Sequence, residues 1–479
     1  MKISAFFLLT APLIFAALPS VGPDYVPPEI PAPAAYRDAE EFGTWKTATP
    51  SDAFARGEWW KLFDDPTLDE LEARALAANQ DLRAAAARVM QARAAAGLAR
   101  GAYWPQVAVG ASVARERNST TTDNVFPNEL TTTYRAPLEA SWEIDLFGRV
   151  RRLNESARAD VAASAAAFES VKLALTAEVA TNYFALIALE QELASVRDTI
   201  ALRRRAVDLI AARVRSGTAA DLDLARAETE LAVTETEQAA LLRQGAAVRN
   251  ALAVLAGEPA SSFDLDVTSR VIAAPEIPAG LPSELLERRP DIAAAERALA
   301  AANARIGVAK AAFFPAISLT GFAGQASGEI DRLFDSDSRI WSIGPRLYLP
   351  IFQGGRNRAN LERSRAAYEE AVAEFRQRVL VAFREVQDAL TATKLLGDQT
   401  AAHARALEAA RRTATRAQTR YDAGFVSYLE VIDAQRSVHA LERSEAQLAA
   451  QRANARVALV KALGGGWHAT PHEGALASR

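Results

Sequence analysis

The sequence contains no cysteine and only four histidines among its 479 residues. The absence of cysteine excludes a disulfide framework, a thiolate metal site and a cysteine nucleophile, and four histidines disfavour a histidine-built metal site. The chain also lacks a large excess of charge of either sign, since its net charge is −4. A chain so close to neutral has no broad basic surface for phosphate backbones, which argues against nucleic acid as its main partner. We expect no cofactor and no metal.

Long apolar runs are also missing beyond the first twenty residues. Lys2 precedes an almost uninterrupted apolar stretch over residues 3–18, which ends at Pro19-Ser20. A basic start, an apolar centre and a small-residue exit are typical of a secretory signal peptide, and the run is too short for a membrane anchor. We therefore assign residues 1–20 as a signal peptide and expect an exported protein. The proline-rich residues 21–64 show no helical or strand periodicity and are predicted to form an extended arm.

Two long segments lack helix breakers almost completely. Residues 149–216 contain neither proline nor glycine, and residues 356–423 contain only Gly397. At ~1.5 Å per residue, each helix would be about 100 Å long. Apolar residues in both recur at steps of three and four, with Arg203 as the single interruption of the first series, which is the pattern of a coiled-coil seam. Each segment is followed by a glycine, Gly217 or Gly424, and then by a shorter helical segment, so the sequence predicts two helical hairpins.

The sequence contains an internal duplication. The Arg213 to Gly217 stretch recurs as Arg420 to Gly424, and because 424 − 217 = 207, the repeat is far longer than a solenoid unit. Each copy also holds an aromatic-Pro motif followed by residues that alternate between apolar and polar, which predicts a pair of strands. Polar residues 115–133 and 324–339 are predicted to be long exposed loops. The domain assignment begins with the arm 21–64 and the first repeat 65–257. That repeat has a helix that starts at the N-cap pair Asp65-Pro66 and continues to about Arg100, strands at about 104–147 and a hairpin at 149–256. The assignment continues with the linker 258–283, the second repeat 284–464, with a helix, strands at about 315–352 and a hairpin at 356–463, and the tail 465–479.

Four amphipathic strands are too few to close a membrane barrel. An open sheet edge in lipid leaves backbone groups unpaired, at several kcal/mol each. The chain is therefore expected to oligomerise: two copies supply eight strands and a filled interior, whereas three supply twelve and leave a lumen. We prefer three. The predicted fold is α+β, a barrel of four strands per chain continuous with a long helical coiled-coil tunnel.

Six motifs are distinctive: residues 21–28 (VGPDYVPP), 285–292 (LLERRPDI), 303–309 (NARIGVA), 313–315 (FFP), 421–424 (YDAG) and 428–435 (YLEVIDAQ). Together they resemble the TolC-type outer-membrane efflux proteins, and within that family the NodT-type efflux lipoproteins. The resemblance implies a homotrimer with a 12-stranded barrel in the outer membrane and a helical tunnel in the periplasm. It further implies a periplasmic adaptor protein and an inner-membrane RND-type pump as partners. The sequence departs from the branch at Ser20, where the branch carries a lipidated cysteine, so no lipidation is expected.

Other classes of function fit less well. No nucleophile–base pair, phosphate loop or paired-carboxylate site is visible in the sequence, so an enzyme is not expected. A periplasmic coiled-coil adaptor or scaffold would account for the hairpins but not for the strands. A duct of a type I protein secretion system remains the alternative to a drug-efflux duct.

Two groups of residues are candidate functional sites. The first is a membrane belt of aromatic rings near the strands, which favour the headgroup level: Trp104, Trp142, Phe147, Phe314, Trp341, Tyr348 and Phe352. Phe147 and Phe352 are alternatively packing residues. The second is a gate at the hairpin tips, closed by charge or by dewetting: Arg213, Arg215, Gly217, Asp221, Asp223, Arg420, Tyr421, Asp422, Gly424, Phe425, Val426, Glu430 and Asp433. The alternative for the charged residues is that they are ordinary solvated tip residues.

Overall fold

The protein was analysed as a computed structural model, which describes residues 20–28, 58–117, 119, 130–267 and 289–465. The signal peptide assigned to residues 1–20 lies outside the described residues except for Ser20, as do residues 29–57 of the arm, 268–283 of the linker and 466–479 of the tail. Two compact units are present. The sheet unit contains residues 1–29, 88–165 and 294–376, and the helical unit contains residues 30–87, 166–293 and 377–479.

The sheet unit contains one antiparallel sheet with strands from both repeats. Its strands are β1 (Gln106–Val109), β2 (Ser112–Arg117), β3 (Leu130–Ile144), β4 (Ala316–Ser327) and β5 (Arg339–Tyr348). β1 and β2 both pair with β3, β3 pairs with β4, and β4 pairs with β5. The strands extend into both segments that were predicted to be loops, since β2 continues to Arg117, β3 starts at Leu130 and β4 ends at Ser327. Those loop boundaries were wrong because polar residues there are in strands.

The interruption between β1 and β2 has a local cause. Val109 pairs with Leu138 and Ser112 with Arg135, so Pro137 lies opposite the break. Proline has no N–H to donate to the ladder. The Pro137 carbonyl still accepts from the Gly110 N–H at 2.9 Å. On its other side Pro137 pairs with Gly324, where an added Cβ would lie 2.3 Å from the Ala136 oxygen, so glycine is required there.

Seven α-helices account for most of the remaining described residues. They are α1 (Pro66–Ala78), α2 (Gln80–Gly101), α3 (Arg149–Arg215), α4 (Asp221–Leu255), α5 (Pro290–Ala311), α6 (Arg356–Asp422) and α7 (Tyr428–Ala462). The two long helices have 67 residues each and their return helices 35 each. By length and composition α3 is apolar enough to cross a membrane, but 56% of the relevant window is buried inside the protein, as expected for a packed core helix.

The start of α1 follows from its sequence. The Asp65 carboxylate accepts from the Thr67 and Leu68 amides at 2.9 and 3.3 Å, and Pro66 occupies the first helical position. Such a cap satisfies amides that have no partner within the helix. The predicted helix from residue 65 to 100 is divided at Asn79, whose side chain caps α2 through the Leu82 amide at 3.0 Å.

The helical unit has a core that includes part of the predicted arm. Residues Trp59–Phe63 form a 3₁₀ helix, and Trp59, Trp60 and Phe63 are at most 3% exposed. The Trp59 indole donates to Thr176 on α3 at 3.1 Å. The prediction of an extended arm as far as residue 64 was therefore wrong at its end. Aromatic residues without a period gave no local signal, and tertiary burial on α3 determines their conformation.

Candidate functional site

The sheet carries an exposed apolar surface. Side chains of β1, β2 and β5 that alternate along the strands are more than 60% exposed: Val107, Val109, Val113, Trp341, Ile343 and Leu347. Soluble monomers rarely expose so many large apolar residues together. In a lipid bilayer, exposed apolar side chains carry no free-energy penalty, and the hydrogen bonds between strands satisfy the backbone N–H and C=O groups of the sheet.

The seven aromatic residues of the predicted belt divide into two groups. Trp104, Trp341, Tyr348 and Phe352 are 62, 76, 56 and 90% exposed. The other three are packed: Phe147 and Phe314 stack with ring centroids 4.9 Å apart, and the Trp142 indole donates to the Tyr103 carbonyl at 2.9 Å. Phe147 therefore packs against Phe314, whereas Phe352 is exposed in this chain, and the membrane belt stays a prediction.

The two hairpin turns have the same hydrogen-bond geometry. At the first, the Gly217 amide donates to Val214 and the Thr218 amide to Arg213. At the second, the Gly424 amide donates to Tyr421 and the Phe425 amide to Arg420. Gly217 and Gly424 have φ of 72° and 77°, the left-handed conformation that ends a helix in this motif. Each member of one set is 207 positions from its equivalent in the other, so the repeat seen in the sequence is also a repeat of backbone geometry.

The hairpins touch near their tips through Arg213 and Tyr421. The Arg213 guanidinium donates to the Tyr421 hydroxyl at 3.1 Å, and its carbon lies 5.5 Å from the ring centroid. The Tyr421 ring also lies 5.4 Å from that of Tyr428, which is buried with Val431 and Ile432 against Ile210 and Ala227. Two of the predicted gate residues are thereby brought together.

The remaining gate candidates make local contacts or lie open. Asp422 accepts from Gln418 at 3.0 Å, Asp223 lies 3.6 Å from Arg226, and Asp433 lies 3.5 Å from Arg436. Asp221 is the first residue of α4, and Glu430 lies in the first turn of α7. Phe425 is 77% exposed, Arg215 and Arg420 are exposed, and Val426 is half-buried. Within one chain these residues form no ring of charge.

A second polar link between the hairpins lies about one dozen residues from each turn and was not predicted. Arg203 on α3 and Glu230 on α4 are 8% and 7% exposed and lie 3.1 Å apart. Arg436 on α7 donates to the same Glu230 carboxylate at 3.0 Å. This hydrogen bond, helped by the charge of Arg203, holds the pKa of Glu230 below its usual range. We call these three residues, of which Arg203 and Glu230 are buried and Arg436 is exposed, the inter-hairpin triad. Its only sequence signal was the interruption of the α3 seam at Arg203.

His439 continues this polar link along α7. It is 8% exposed, and its ring nitrogens lie 3.2 Å from the Thr199 hydroxyl on α3 and 3.0 Å from Glu237 on α4. Arg443, one turn further along, lies 3.3 Å from Glu237 and 3.4 Å from Glu192. Both hairpins are thus joined by charged side chains as well as by their apolar seams. Among the described residues there is no cluster of three potential metal ligands.

An exposed apolar sheet joined in one chain to two coiled-coil hairpins defines a class, the outer-membrane channels of efflux systems. The family model described as outer membrane efflux protein matches residues 71–258 and 281–465, and the chain belongs to this family. It is therefore a channel protein of an efflux pump, located in the outer membrane and extending into the periplasm, and its family consists of ducts and not of enzymes.

Individual relatives agree over almost the whole chain. The probable efflux pump outer membrane protein SepC of Pseudomonas putida is 37% identical over 453 residues, which are 94% of each chain. The cation efflux system protein CusC of Escherichia coli O6:H1 is 34% identical over 450 residues, 94% of this chain and 96% of the relative. The open state of the Neisseria gonorrhoeae MtrE outer membrane channel superposes with a TM-score of 0.82 at 31% identity, over 93% of this chain and 98% of that one.

Proposed function

We propose that three copies of the chain assemble into one duct, in which the sheets close into a barrel and the hairpins form a periplasmic tunnel. β1 and β2 pair one after the other along β3 and count as one interrupted strand, so each chain supplies four strands and the barrel has 12. The observation that carries this proposal is the sheet itself. In the described residues its order is β1 and β2, then β3, β4 and β5, so β1 and β2 form one edge and β5 the other. Pairing of the edges between copies satisfies their backbone groups in lipid.

The duct passes small molecules delivered by an inner-membrane RND-type pump through a periplasmic adaptor. SepC is named as part of an efflux pump and CusC as part of a cation efflux system. Their similarity over most of the chain supports efflux in preference to protein secretion. The equivalent turns at Gly217 and Gly424 would both face the adaptor, because equivalent hairpins in one closed ring end on the same side. The Arg213–Tyr421 contact would be part of the gate there.

The trimer is tested by cross-linking introduced cysteines, since the chain has none of its own. One cysteine replaces Ala114 on β2 and another replaces Ser342 on β5, and a bismaleimide of suitable length is added to outer membranes. We expect a covalent species of three chains. The matched control pair, Leu138→Cys with Ala323→Cys, occupies directly opposed positions on β3 and β4 and should link only within one chain. Products of two or four chains as the largest species would contradict the trimer.

A further inference from the structure

Residues 20–28 of the sheet unit, which we call the strap, lie against two helices from different repeats. The Val21 amide donates to the Phe147 carbonyl at 3.0 Å, just after the end of β3. The Asn303 side chain on α5, itself 3% exposed, donates to the Pro23 carbonyl at 3.0 Å. Two backbone groups of the strap therefore form hydrogen bonds to the protein, one to Phe147 just before α3 and the other to Asn303 on α5.

Two side chains of the strap add charge-assisted bonds. Arg152 on α3, with a side chain 5% exposed, donates to Asp24 at 2.7 Å and to Glu155 at 2.8 Å. The Tyr25 hydroxyl donates to Glu296 on α5 at 2.6 Å. Burial, together with that hydrogen bond, raises the pKa of Tyr25, so the hydroxyl remains a donor throughout the physiological range. The Tyr25 bond to a carboxylate is of the charge-assisted kind, about twice as strong as a neutral one. Solvent weakens the Arg152–Asp24 bond, since the Asp24 side chain is 92% exposed.

Close backbone approach makes the fit selective for glycine. Gly22 has φ of 114°, and a Cβ added to it would lie 2.6 Å from the Gly307 Cα. A Cβ on Gly307 would in turn lie 2.7 Å from the Arg152 Cγ. The groove therefore excludes any side chain at position 22, on grounds of space and of backbone conformation.

We propose that this groove, between the start of α3 and the middle of α5, is a sequence-specific peptide-binding site for residues 21–25. The strap is a non-covalent clasp that joins the two repeats and fixes Val21, the first residue after the assigned signal peptide, beside the end of β3. This arrangement attaches the amino-terminal segment through non-covalent contacts alone. Because the strap and its groove belong to the same chain, binding is intramolecular, and modest affinity suffices to keep the strap bound.

The first test measures release of the strap in the full-length protein. Val26 is 73% exposed, so Val26→Cys provides a unique labelling site for a nitroxide probe. We expect a restricted spectrum in the otherwise unchanged protein and a mobile one after Gly22→Ala or Gly307→Ala. The control is Gly97→Ala on α2, where nothing lies within 4 Å of the added methyl group. It should leave the spectrum unchanged.

The second test adds the strap back as a separate molecule. A fluorescent peptide of residues 20–28 should bind the Gly22→Ala protein at least tenfold more tightly than the unchanged protein, whose groove is occupied. The same peptide with alanine in place of glycine should bind at least tenfold more weakly. A restricted label in the Gly22→Ala protein, or a released strap without peptide binding, would overturn the proposal. If the Gly22→Ala protein fails to fold, Tyr25→Phe, which removes a single hydrogen bond, serves as the released form and must pass the same two tests. Neither readout uses conductance or oligomer mass, so failure here is distinct from failure of the proposed duct.

Discussion

Glu72 on α1 is a carboxylic acid buried without a hydrogen-bond partner. It is 0% exposed, and neither carboxylate oxygen has a hydrogen-bond partner. Burial, with a smaller contribution from the charge of Asp69, raises its pKa to about 9. The Glu72 carboxyl is therefore neutral in the folded protein at pH 7, whereas in the unfolded chain it ionises near pH 4.5.

This difference predicts a stability loss as pH rises. Below about pH 4.5 the Glu72 carboxyl is protonated in both the folded and the unfolded state, so its ionisation does not affect the free energy of unfolding. Above that pH the loss of stability grows until the pH passes the pKa in the folded protein, near 9. At pH 7 the penalty is about 3 kcal/mol. Glu72→Leu should therefore raise the thermal unfolding midpoint at pH 8 and raise it much less at pH 5. Glu70→Leu, at an exposed position of the same helix, is the control. An equal gain at both pH values would show that packing and not ionisation is responsible.

Residue-level prediction from sequence succeeded where the cause was local and failed where it was not. The Asp65-Pro66 pair identified the start of α1 because capping involves only the next three residues. The bond that Asp65 accepts from the Tyr183 hydroxyl at 2.8 Å joins residues 118 positions apart and has no sequence signal. The position of Trp59 in the core was missed for the same reason.

At the scale of elements, the interruption of the apolar seam of α3 at Arg203 indicated more about the contacts between helices than the regular part of the seam did. The apolar steps along α3 predicted which residues are buried, and Val196, Ile200 and Ile210 are at most 6% exposed. Arg203 breaks that series, and in the structure it belongs to the inter-hairpin triad, in which it pairs with the buried Glu230. A charged residue at a seam position predicts a buried partner, but the sequence alone did not identify Glu230 or Arg436 as that partner.

The triad should contribute more to the free energy of unfolding than an ion pair on the surface does. Glu230→Gln leaves the Arg203 guanidinium buried beside a neutral side chain, so we expect a loss of about 3–5 kcal/mol in the free energy of unfolding. Arg204 and Glu235 link the same two helices at 2.7 Å, with side chains 63% and 42% exposed. Glu235→Gln should therefore cost less than about 1 kcal/mol. Denaturant unfolding of both variants provides the comparison, and equal losses would contradict the assigned role of burial.

At the scale of the whole molecule, the duplication accounts for most of what the sequence revealed. Helices of equal length, equivalent turns and a sheet with strands from both copies follow from two copies of one unit. In the proposed trimer, however, a constriction would depend on the assembly, because a residue near a symmetry axis meets its equivalents in the other chains. A single sequence therefore locates the hairpin tips, while the assignment of a gate to them stays a prediction.

Single-channel conductance in planar bilayers distinguishes the candidates for the gate. Tyr421→Phe removes the acceptor of the Arg213 bond, so we expect the hairpin tips to separate more easily and the conductance to rise. Asp422→Ala with Asp433→Ala should raise conductance or weaken block by divalent cations if charge closes the pore, whereas Phe425→Ser with Val426→Ser should raise it if an apolar constriction dewets. Arg416→Gln, an exposed change on α6, is the control for a general effect of lost charge. If none of the three variants differs from that control, the constriction lies away from the tips, and the gate assignment fails while the duct remains.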